Sequence, residues 1–131
     1  MDAVYRLVAT STAVARTPDG WVAETLRDGA VTLVIDHGGL DAIDAAARAL
    51  GQVAVSVLRR ESGAEAQEEA VIAFAGAMPL VWVSARFSER TRTWARERGP
   101  MTLLVPASDA LPADELARIA RFVTLLSRQT D

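Results

Sequence analysis

The chain has 131 residues, half of them hydrophobic, and a formal net charge of −3, which is the size and apolar content of one folded domain rather than a disordered tract. All fourteen basic residues are arginine, cysteine is absent and His37 is the sole histidine. Those absences exclude a Schiff-base or phosphate-loop lysine, a thiolate nucleophile, and cysteine or multi-histidine zinc sites.

The start, Met1-Asp2-Ala3-Val4-Tyr5-Arg6, lacks the basic leader and apolar core of a secretory signal. The longest apolar run, near Ala77 to Val83, falls far short of the roughly 18 residues of a membrane span. A soluble, cytoplasmic protein with no membrane contact is expected. Val4 to Ala15 fits either a helical face or, from its valines and threonines, an extended strand, and the strand is preferred. Pro18-Asp19-Gly20 and Arg27-Asp28-Gly29 are turn signals that set off Trp21 to Leu26 and Ala30 to Ile35, a pattern that predicts a hairpin. Asp41 to Leu50 places Ile43, Ala46, Ala47 and Leu50 on one side of a helix.

The second half alternates regularly. Val53 to Leu58 reads as a buried strand and Ala64 to Ala77 as a helix with Glu65, Glu68 and Glu69 in its early turns, where they favour the positive dipole end. Leu80 to Ser84 is a strand. Ser88 is an N-cap for a helix running to Arg98, stopped by Gly99-Pro100. Met101 to Val105 is a further strand, and a last helix starts at Pro112, with Leu116, Ile119, Ala120, Val123 and Leu126 on one stripe. The expected fold is thus a single α/β layered domain over residues 1–131: an N-terminal hairpin or meander, then alternating helix and strand units, in a mixed sheet flanked by helices.

Two places carry candidate chemistry. Asp36-His37-Gly38-Gly39-Leu40-Asp41 follows a strand and precedes a helix, where α/β proteins place ligands. Asp36, His37 and Asp41 have the donor types to hold a divalent cation such as magnesium, or a small ligand. The same residues also serve a plain strand end, glycine turn and helix start. The segment lacks the spaced third glycine of a dinucleotide fingerprint. The second place is an arginine group, in which Arg59, Arg86 and Arg90 are candidate phosphate ligands. Glu89 and Glu97 dilute its field, and Trp94 shares a helical face with Phe87, Thr91 and Ala95, as a core residue would. No serine stands in a nucleophile-elbow pattern and His37 has no evident triad partner, which argues against hydrolase chemistry of that type.

From Gly38 to about residue 111 the order of segments resembles the Mrr-type restriction endonuclease domain, a branch of the PD-(D/E)xK nucleases. The comparable stretches are Val55-Ser56-Val57-Leu58-Arg59-Arg60, Glu69 to Ala77, Val81 to Glu89, and Trp94 to Gly99 leading to Met101 to Val105. Gly38-Gly39-Leu40-Asp41 is similar to the family's Gly-Gly-Ile-Asp, whose Asp binds the catalytic magnesium. The family's Gln falls on Ser56 and its catalytic Lys on Leu58, so the resemblance implies a catalytically degenerate relative. A non-catalytic domain that binds a protein partner or DNA phosphates is the leading expectation. The alternatives are a small-ligand or metal-binding enzyme or sensor built on Asp36 to Asp41, and a self-associating assembly module.

Overall fold

The structure, a computed structural model, describes residues 3–51, 56–58 and 61–129. Five strands, β1 (Tyr5–Thr10), β2 (Gly29–Val34), β3 (Ser56–Leu58), β4 (Leu80–Ser84) and β5 (Thr102–Pro106), form one sheet of order β3-β2-β1-β4-β5. Every pair in it is parallel. Helices α1 (Ser11–Ala15), α2 (Trp21–Thr25), α3 (Gly39–Leu50), α4 (Ala64–Ala75), α5 (Glu89–Arg98) and α6 (Ala113–Gln129) fill the crossovers and the C-terminal end. This strand order is that of the doubly wound, Rossmann-like α/β folds.

The sheet is therefore all-parallel, not mixed, and the expected hairpin is absent. Trp21 to Leu26 is helical because Val22 and Leu26, four residues apart, are both buried on one side of a single turn. The two turn signals are turns indeed. Trp21 N–H donates to the Pro18 carbonyl and Gly29 N–H to the Leu26 carbonyl, but they bracket a helix and deliver β2 parallel to β1. Over six residues, two buried positions do not distinguish a helical period from an alternating one.

Val4 to Ala15 resolves into both of its readings: strand to Thr10, then helix with no residue between. Residues 52–55 lie outside the described residues, so the Val53 end of the strand expected over Val53 to Leu58 is not covered. Its described part, β3, is an edge strand with Ser56 and Val57 exposed rather than buried. The remaining elements stand within two residues of their sequence reading.

Alternation along the strands builds a core on each face of the sheet. Leu7, Ala9, Leu33, Val81, Val83 and Val105 face one side and pack with Ala13, Val14, Ala46, Ile119 and Val123 of α1, α3 and α6. Val8, Leu80 and Trp82 face the other and meet Val71 and Ala75 of α4, with half-buried Trp94 of α5 beside them. Trp82 contacts Phe87 and Trp94 edge to face, at centroid separations of 5.2 and 6.3 Å. Among the described residues no helix is long and apolar enough to cross a membrane.

Candidate functional site

In a parallel sheet ligands collect outside the carboxyl ends of the strands, where the order reverses. Here that point lies between β1 and β4, each of which begins the outward run of its own half. In dinucleotide-binding folds the first strand-to-helix turn at this place holds a pyrophosphate. This chain has no such turn: Thr10 ends β1 and Ser11 starts α1.

A carboxylate of the chain occupies the niche. Asp36, just beyond β2, accepts hydrogen bonds from the Thr12 hydroxyl at 2.7 Å, the Thr12 backbone N–H at 3.2 Å, the Ser11 hydroxyl at 3.2 Å and the Gly38 N–H at 3.0 Å. Burial alone would raise the Asp36 pKa, but the hydrogen bonds from Thr12, Gly38 and Ser11 together bring it below the usual carboxylate value. The turn must stay tight for this. A Cβ on Gly38 would lie 2.5 Å from the Ala42 Cβ and 2.7 Å from the Thr12 hydroxyl oxygen. Ser11 is fully buried, so its hydroxyl anchors α1 and is out of reach of a substrate.

The three candidate ligands of this loop thus separate. Asp36 is turned inward and saturated, whereas His37 is exposed and Asp41 stands exposed in the first turn of α3. Among the described residues no group of three His, Asp or Glu side chains is placed to hold a metal ion. Helix α3 follows Gly38 directly, so Asp41 is on a helix, and Leu58 is half-buried in the edge strand.

The arginine group fares differently. Arg59 lies outside the described residues, but Arg86 and Arg90 line one cleft of about 410 Å³ between α4 and α5 at the carboxyl end of β4. Its floor is apolar, made by Ile72 and the buried Phe87. One wall is the glutamate side of α4. Glu68 accepts from the Ser88 backbone N–H at 2.8 Å and from its hydroxyl at 2.6 Å. The same Ser88 oxygen caps α5 by accepting from the Thr91 N–H at 3.1 Å. Burial would raise the Glu68 pKa, yet the Ser88 and Thr91 hydrogen bonds and the Arg90 charge outweigh it and lower it.

Across the cleft Arg90 reaches back to α4, 2.9 Å from Glu69 and 3.5 Å from Glu65. Arg86, on the loop between β4 and α5, is exposed and has no hydrogen-bond or ion-pair partner among the described residues. The three glutamates exceed the two arginines by one charge. The amino ends of α4 and α5, which both open here, offset it with roughly half a positive charge each.

Ser88 is legible in the sequence as a helix cap, and Arg86 and Arg90 as members of one arginine group. The glutamate wall is not, because Glu65, Glu68 and Glu69 suit a helix start whether or not another helix faces them. No family model, curated protein or solved structure matches this chain when the three are compared with it.

Proposed function

We propose that this domain acts by binding, and that the α4–α5 cleft takes a small molecule with an apolar body and an anionic head, the head resting on Arg86. The observation that carries the reading is the exposed Arg86 guanidinium, without a hydrogen-bond or ion-pair partner among the described residues, beside the apolar floor of Ile72 and Phe87. The volume, about 410 Å³, lies within the range of about 300–1,000 Å³ in which small-molecule sites fall. A long phosphodiester chain fits less well, since the lining of the cleft carries three glutamates against two arginines.

Binding without catalysis suits the side chains present. The nearest hydroxyl, Ser88, donates to Glu68, whose lowered pKa makes it a poor general base near neutrality. No histidine lines the cleft. This reading keeps from the nuclease resemblance only its non-catalytic character.

Calorimetric titration with benzoate, phenyl phosphate and benzylamine tests it. The two anions are expected to bind and the amine not, and Arg86→Ala should weaken anion binding about tenfold to hundredfold, the worth of a charge-assisted contact. Arg121→Ala, on the exposed side of α6, is the control. Anion binding indifferent to Arg86, or a preference for the amine, would overturn the proposal.

A further inference from the structure

The cleft is lined by a second arginine, in the first turn of α5. Arg90 extends from α5 to the opposite wall and is shared between two carboxylates, Glu69 at 2.9 Å and Glu65 at 3.5 Å. All three side chains are more than half exposed. Exposed pairs of this kind add little to stability, so a ligand charge displaces them at little cost. Arg86 faces the same cleft with no such partner.

Resting on the anion-binding reading above, we infer that Arg90 is the specificity-determining residue of the cleft: masked by Glu65 and Glu69 in the free protein, it is recruited by ligands whose head carries two negative charges. A monoanionic carboxylate is satisfied by Arg86 alone. A phosphate monoester, with a second ionisation near about pH 6 and three acceptor oxygens, gains from both guanidinium groups and draws Arg90 off the α4 wall. Glu65 and Glu69 then return to water. Glu68 does not exchange, because Ser88 holds both of its oxygens.

The measurement is the ratio of phenyl phosphate to benzoate affinity at pH 8 and low salt. Arg90→Ala is expected to lower that ratio about tenfold, and the Glu65→Gln, Glu69→Gln double variant to raise it by removing the competing carboxylates. A ratio unchanged in both variants overturns the role of Arg90 while benzoate binding through Arg86 still stands. Absence of benzoate binding in the unaltered protein, or binding that survives Arg86→Ala, overturns the underlying reading and this inference with it. Melting curves of each variant without ligand separate loss of binding from loss of fold.

Discussion

The Thr12 hydroxyl lies 2.7 Å from Asp36 Oδ1, the shortest of the three hydrogen bonds that join the start of α1 to the turn after β2. Two crossovers that are distant in sequence are thereby fixed on the same edge of the sheet. Asp36→Asn leaves the acceptor geometry partly intact but removes the charge, and Asp36→Ala strips four donors of their partner. Losses of about 1 and about 3 kcal/mol are expected in urea unfolding, with Thr12→Val falling between them. Equal stability of all three variants would show that the contact does not tie the crossovers.

The lowered pKa values of Asp36 and Glu68 set the acid limb of stability. A carboxyl whose folded value is depressed stabilises the fold above its unfolded value, near about 4, and that contribution is lost as pH falls through the folded value. Unfolding free energy should fall steeply below about pH 4. In an Asp36→Asn, Glu68→Gln variant the same titration should be visibly flatter.

Tyr5 is the sole tyrosine and is fully buried, so tyrosinate absorbance reports on one residue. Burial first, and the nearby Asp28 charge second, push its pKa above the ordinary value of about 10. The native protein should show no phenolate step near pH 10. The associated stability is complete below the unfolded value and is lost as pH rises toward the folded one, so the step should coincide with alkaline unfolding. Its hydroxyl has no hydrogen-bond partner among the described residues, and Tyr5→Phe is expected to be neutral or stabilising by about 1 kcal/mol.

Gly29 faces that ring. A Cβ there would lie 2.3 Å from Tyr5 Cε2, closer than any tolerated contact, so Gly29→Ala should cost about 3 kcal/mol by overpacking. Adding Tyr5→Val should recover part of the loss. A double-mutant cycle with no coupling would place the cause in the backbone rather than in the ring.

Arg98 donates to the Met78 carbonyl at 2.6 Å, the Gly76 carbonyl at 3.2 Å and the Thr102 hydroxyl at 2.9 Å, with its guanidinium carbon 4.8 Å from the Trp94 ring centroid. Arg98→Ala should lower the melting temperature by several degrees, equivalent to about 2 kcal/mol. Arg98→Lys should fail to restore it, because an ammonium does not reproduce the planar fork.

A long apolar period or a strong stop is legible from the residues alone. Ser88 and Gly99-Pro100 bound α5, and the stripe from Leu116 to Leu126 defined α6. The N-terminal half was harder, since Trp21 to Leu26 is shorter than two helical turns and turn residues flank helices and hairpins alike. Parallel pairing of β1 and β2 depends on that short helix, so a local ambiguity changed the sheet from all-parallel to mixed. At the site, Arg86 and Arg90 could be nominated by charge. The inward role of Asp36 could not, because it depends on Ser11 and Thr12, more than twenty residues away.

The first strand of the chain is the central strand of the sheet. The strands on one side of β1, β2 and β3, end by Leu58, and those on the other, β4 and β5, come after Ala64. Such a chain is divisible. Opening the backbone at the exposed Ser62–Gly63 bend leaves two pieces, each with whole strand and helix units, that meet along the β1–β4 pairing and where α6 packs against the core of the N-terminal piece. Co-expressed pieces should reassemble, with the change in tryptophan emission on mixing as the readout, giving a two-part reporter whose halves carry no lysine for amine-directed labels to disturb.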